Sequence, residues 1–171
     1  MRILGEKSLA SKVIVGLNIL FAIISIIDIA VLSIIIKVVI HITMGENIQN
    51  NISDLIFFIM IISTGIIALF IIYQFIKIFK NLKNNILFCE GSAKSLNVIS
   101  YSCFIISILY LMIAIFIFLI MRNLIGEFVY YIFAFSIMLM LIFAVSGIGI
   151  KILNEIYKKA IEYKEENDFT I

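Results

Sequence analysis

The sequence predicts an all-α, polytopic membrane protein: one domain over residues 1–171 with four transmembrane helices, the second and fourth extended on the cytoplasmic side. Three observations predict it. The chain is 64% hydrophobic with a mean hydropathy of +1.22, against about 45–50% apolar in an ordinary soluble domain. A water-soluble fold of 171 residues has too little interior to hide that surface. Next, four long apolar runs occupy residues 13–36, 55–76, 98–120 and 128–150, and Asp28 is the only charge within them. Each holds 22–24 residues, enough to cross roughly 30 Å of hydrocarbon as a helix. Finally, the basic residues partition: eleven of the thirteen lie before the first run, between the second and third, or after the fourth. Only Lys37 and Arg122 lie on the other side. By the positive-inside rule both termini are cytoplasmic. The abundance of Ile, Asn and Lys with neither Pro nor Trp looks like an AT-rich bacterial genome, so the expected location is the bacterial cytoplasmic membrane.

The first run follows Arg2, Lys7 and Lys12. It is too long for the apolar part of a cleaved signal peptide, and no small-x-small site follows Ile36, so it reads as an uncleaved signal anchor. Residues 37–54 are expected as a short outer loop, with a turn-like cluster at Thr43-Met44-Gly45-Glu46-Asn47. Asn51-Ile52-Ser53 matches a glycosylation sequon, but in a bacterial chain it is better read as the start of the second helix.

That second helix is expected to outrun the membrane, because Phe75, Phe79 and Leu82 recur at helical spacing beside a stripe of Lys77, Lys80 and Lys83. The lysines either bind anionic headgroups from an interfacial segment or simply anchor the span. In the third run, Ser100, Cys103, Ser107 and Tyr110 follow each other at spacings of 3, 4 and 3. The fourth run contains Ala144, Ser146, Gly147 and Gly149. Small residues on one face let helices approach closely in lipid, so both sets read as packing surfaces. A tight hairpin at residues 121–127 should join these two helices.

The fourth helix should continue through about Tyr163, with Ile150, Leu153, Ile156, Tyr157, Ala160 and Ile161 as its apolar face. Residues 165–168 are expected to end it. The last eight residues carry one Lys against two Glu, one Asp and the chain's carboxylate, a net of −3, while residues 77–97 carry a net of +3. The expectation is that Phe169 and Ile171 dock on Phe79, Leu82 or Phe88, with Glu165, Glu166 and Asp168 near Lys80, Lys83 or Lys94. A frayed end is the alternative.

Asp28 is the most unusual residue, since a carboxylate at mid-membrane costs about 2.5–3.5 kcal/mol on insertion scales. Counting inward from the outer ends of the runs sets Ser63, Thr64 and Ser136 at its depth, with Tyr110 slightly deeper. Asp28, Ser63, Thr64, Tyr110 and Ser136 therefore form a candidate intramembrane polar cluster. Structural hydrogen bonding between helices and a proton or solute pathway are both open uses.

No chemistry-bearing motif stands out. His41 is the one histidine, and the two cysteines, Cys89 and Cys103, are separated between a loop and a span. That excludes a zinc set by spacing. Gly147-Ile148-Gly149 lacks the rest of a nucleotide loop. A net charge of +2 without a dense basic patch gives no case for direct nucleic-acid binding. No enzyme activity and no cofactor are expected.

The ending Lys164-Glu165-Glu166-Asn167-Asp168-Phe169-Thr170-Ile171 resembles the terminal signature of the bacterial domain-of-unknown-function family 2975 (DUF2975). Phe79-Lys80-Asn81-Leu82-Lys83-Asn84-Asn85 and Phe88-Cys89-Glu90 share that resemblance, as do the length and the four-span plan. One departure is Asn85-Ile86-Leu87-Phe88, where the family commonly has an Asn-Pro-Phe step. The resemblance implies no established activity. It does imply a gene context beside small Cro-like helix-turn-helix regulators, and hence a cytoplasmic transcriptional regulator as a possible partner.

The distinctive residues lie on the cytoplasmic side, so the candidate interaction face is Lys80, Lys83, Phe88, Glu90, Glu165, Glu166, Asn167, Asp168, Phe169 and Ile171. The leading expectation is a non-enzymatic regulatory or interaction protein that binds a soluble partner there. The alternative is a small transporter or proton-coupled channel built on Asp28.

Overall fold

A computed structural model of the chain describes residues 9–44, 48–84, 89–120 and 127–168. They form four helices, α1 (Leu9–Thr43), α2 (Ile48–Lys83), α3 (Glu90–Ile120) and α4 (Glu127–Asp168). Lipid offers no partner to a backbone N–H or C=O, so an apolar run crosses it only with those groups paired inside a helix. The chain contains no proline to interrupt the pairing. All four helices are long and apolar enough to span a membrane. This is an all-α, multi-pass membrane protein.

The helices extend well past the apolar runs. α1 has 35 residues and α4 has 42, about 50 and 60 Å at 1.5 Å per residue. Most of residues 37–54, expected as an outer loop, is therefore helix, as is most of residues 77–97. The membrane edge changes which side chains are tolerated but does not stop backbone hydrogen bonding. What ends α1 is local: Thr43 Oγ1 donates to the Ile40 carbonyl at 2.7 Å, and Met44 N closes the last turn on the same oxygen at 3.0 Å. α4 likewise stays helical past Tyr163 and reaches Asp168, the last of the four residues expected to end it. Its Lys- and Glu-rich extension favours helix and contains no Gly or Pro to stop it.

Helices adjacent in sequence are adjacent in space. The principal contacts are α1 with α2, α2 with α3, and α3 with α4. The core consequently lies along α3, which buries Ala93, Leu96, Ile99, Cys103, Ile106, Ile113, Ala114 and Ile117. In the α3–α4 seam Ser100 Oγ donates to the Gly147 carbonyl at 2.8 Å, and Ser107 Oγ to the Met140 carbonyl at 3.0 Å. These two bonds set an antiparallel register. Gly147 permits it: a Cβ there would stand 3.3 Å from the Phe104 ring and 3.3 Å from the Ser100 carbonyl oxygen. The α2–α3 seam is antiparallel too. Phe57 stacks on Phe116 near one end, with centroids 6.4 Å apart, and Asn81 Nδ2 donates to Ser92 Oγ at 3.0 Å near the other.

α1 is the most peripheral element; among its described side chains only Ala10 is fully buried. Ile26, Ile29, Leu119 and Val145 are each about two-thirds exposed. In a bilayer those side chains meet acyl chains, so exposure of large apolar groups is the expected pattern. The up-and-down path gathers the start of α1, the end of α2, the start of α3 and the end of α4 at one end of the molecule. Among the described residues, the lysines collect there, Lys37 excepted.

Candidate functional site

Two places concentrate polar groups against packed helices. One lies within the spans. Asp28 faces α2 at Gly65, and its carboxyl group fills the space where a Cβ at residue 65 would stand. The glycine is what lets α1 and α2 close over a carboxylate. Asp28 Oδ2 is sealed from solvent and has no hydrogen-bond partner. Beside it is an open-sided chamber of about 220 Å³, a cleft to which all four helices contribute, Asp28 with Thr64, Gly65, Tyr110 and Phe143 among its walls. Tyr110 and Phe143 stack with ring centroids 5.9 Å apart and planes 10° apart.

Of the five residues read from the sequence as a polar cluster, the structure brings Asp28, Thr64 and Tyr110 together around this chamber. Ser63 and Ser136 do not line it. Their hydroxyls turn back along their own helices, Ser63 to the Ile59 carbonyl at 2.7 Å and Ser136 to the Ile132 carbonyl at 2.9 Å. Thr64 Oγ1 also donates backward, to the Ile61 carbonyl at 2.7 Å. Short hydroxyl side chains in helices commonly satisfy themselves this way, which frees them from needing a partner across the seam. Gly65 was invisible as a site residue in sequence, although its place in Ser63-Thr64-Gly65, at the depth of Asp28, was the available signal.

The second place is at the lysine-rich end. A groove of about 420 Å³ runs between the start of α3 and the extension of α4. Its walls carry Glu90, Lys94 and Asn97 from α3, and Lys158, Glu162 and Glu165 from α4. Ala93 and Ile161 supply its apolar surface. Glu90 and Lys94 lie 3.6 Å apart, but both side chains are more than three-quarters exposed, so the pair contributes little to stability. Glu90 also stands in the first turn of α3, where a negative charge complements the helix dipole.

Asn154 precedes Lys158, Ile161 and Glu165 on one face of α4, at spacings of 4, 7 and 11. It is only 1% exposed, and neither Nδ2 nor Oδ1 has a partner. The sequence reading placed an apolar stripe on this extension instead, and the structure revises it. Leu153 and Ile156 are exposed, while Asn154 turns inward. A helix at the membrane edge can direct apolar groups outward toward lipid and polar groups toward its neighbour.

The other predicted interface residues are dispersed. Glu90 and Glu165 share the groove, together with Lys94. Lys80 and Lys83 lie on α2, which packs on a different face of α3, and neither lines the groove. Glu166 is exposed on α4. Phe88, Phe169 and Ile171 and the side chains of Asn167 and Asp168 lie outside the described residues, so the expected docking of the tail does too. Near the end of α2, Asn81 Nδ2 reaches Cys89 Sγ at 3.4 Å as well as Ser92, which fastens the start of α3 to α2. Among the described residues no three His, Cys, Asp or Glu side chains group to hold a metal ion.

No curated protein and no solved structure matches the chain. A family model does match, over residues 43–171; it covers α2, α3 and α4 with the whole of the groove, and its description is a protein of unknown function, DUF2975. The chain belongs to that family.

Proposed function

We propose that this chain is a non-enzymatic interaction protein of the bacterial cytoplasmic membrane, with its lysine-rich end in the cytoplasm, and that the groove between α3 and α4 captures a soluble partner. The observation that carries the reading is the groove itself: a concave surface of about 420 Å³ with an apolar floor and charged walls. Three carboxylates, Glu90, Glu162 and Glu165, face two lysines, Lys94 and Lys158, so the walls are acidic by one charge. Such a surface suits a partner segment carrying Arg or Lys beside an apolar anchor. A small helix-turn-helix regulator has such segments, because DNA phosphates are held by the same residue types. Capture by the groove would then compete with DNA binding.

A photocrosslinking residue in place of Ile161, compared with one in place of Ile115 near the other end, tests this. The expected result is an adduct with a small basic regulator from position 161 alone, lost on charge reversal by Glu162→Lys with Glu165→Lys and weakened as salt rises. An adduct that survives the charge reversal, or forms equally at position 115, overturns it.

The other use left open by the sequence is translocation of a proton or solute past Asp28. The chamber beside that residue speaks for it. Its test is flux in sealed vesicles, which Asp28→Asn should abolish.

A further inference from the structure

We propose that the chamber beside Asp28 is a binding site for amphipathic ammonium ligands, small protonated amines bearing an apolar or aromatic body, that arrive from the bilayer. This is a statement about binding and depends on neither the groove nor translocation.

The inference starts from Asp28. Its Oδ2 is buried without a hydrogen-bond donor, and Thr64, a hydroxyl-bearing wall residue on α2, already donates to its own helix. A carboxylate with one oxygen removed from water and no donor to meet it favours uptake of a proton or a cation. The room beside it favours a cation with a body. A proton needs no chamber, whereas about 220 Å³ of space stands next to the carboxyl group. A bare metal cation does not match the walls. Calcium takes about 6–8 oxygen ligands, and the chamber offers oxygen-bearing side chains only from Asp28, Thr64 and Tyr110. The remaining surface is Ile24, Ile27, Ile61, Ala68, Ile106 and the stacked Tyr110–Phe143 pair. One acid among aliphatic and aromatic walls is complementary to one ammonium on an apolar skeleton. Rotation about the last torsion of an aspartate is soft and nearly two-fold, so either oxygen can be presented to the N–H donors.

The helix arrangement supplies the route. Among the described residues α1 packs chiefly on α2, and α4 on α3, with no comparable seam between α1 and α4. The chamber's side between those two helices therefore adjoins lipid. An amphipathic amine partitions into a bilayer, and reaches a lateral opening without crossing the polar ends of the protein.

Equilibrium binding of radiolabelled 2-phenylethylammonium to the full chain in lipid nanodiscs tests the proposal, with n-propylbenzene as the uncharged competitor of the same shape. Saturable binding is expected, with propylbenzene competing at least about tenfold less well. Asp28→Asn should weaken binding by at least about tenfold, and Tyr110→Leu should weaken it as well. Absence of saturable binding, equal competition by propylbenzene, or an Asp28→Asn affinity within about twofold of wild type would overturn it. If Asp28→Asn does not fold, the comparison of the two ligands on the wild-type chain still decides.

Discussion

Gly65 and Asp28 form a pair in which the smaller residue makes the larger one tolerable. Enlarging residue 65 drives a methyl group into the carboxyl group. Gly65→Ala should therefore destabilise the chain by about 1–3 kcal/mol, as overpacking does. Unfolding in mixed micelles measures it, and a double-mutant cycle with Asp28→Ala should recover most of the loss if the clash is its source. Asn154 makes the opposite prediction. Asn154→Leu removes two buried polar atoms that have no partners, so it should be neutral or stabilising by up to about 2 kcal/mol in the same assay. The sequence exposed Asp28 at once, because a single charge in 92 span residues is conspicuous to any hydropathy argument. It hid Gly65 and Asn154, because neither is unusual until the seam it faces is known. Ser63 and Ser136 show the converse: depth counting placed them near Asp28, but a hydroxyl that satisfies its own helix makes no call on its neighbours.

Along the helices, the apolar runs were legible and the helix ends were not. Hydropathy marks where side chains meet lipid, and each run lies within one observed helix. The ends depend on backbone pairing and stop residues, which is why α4 reaches Asp168. Hydrogen exchange should show amides protected beyond the membrane edge through at least Glu162; exchange at random-coil rates from Lys151 onward would contradict a packed extension. The α3–α4 seam makes a smaller prediction. Ser100→Ala removes one bond to the Gly147 carbonyl and should cost about 0.6 kcal/mol, the average for such bonds between helices in a membrane. Gly147→Leu should cost much more, since it pushes the Phe104 ring and the Ser100 carbonyl apart. Reading Ser100, Ser107 and Gly147 as packing residues needed only their spacing on one helix face. Finding that two of the serines bond across the seam required the register.

At the scale of the molecule, function depends on which side of the membrane the groove occupies. Its position was only partly legible in sequence. Glu90 and Glu165 were named as interface residues, but Lys94 entered only as a tail contact and Ile161 only as part of the apolar face of the fourth helix, while Asn97, Lys158 and Glu162 belonged to no predicted face. The reason is geometric: the groove exists only because α4 continues far enough to run alongside the start of α3. The same path brings eleven of thirteen basic residues to one side by sequence position, and the positive-inside rule turns that asymmetry into an orientation. Labelling single cysteines with a membrane-impermeant maleimide, in a background carrying Cys89→Ser and Cys103→Ser, tests the central claim most directly. Cysteine in place of Met44 should react in intact cells, whereas cysteine in place of Glu162 should react only in inverted vesicles. Reaction at position 162 in intact cells would place the groove outside the cell and contradict capture of a cytoplasmic partner.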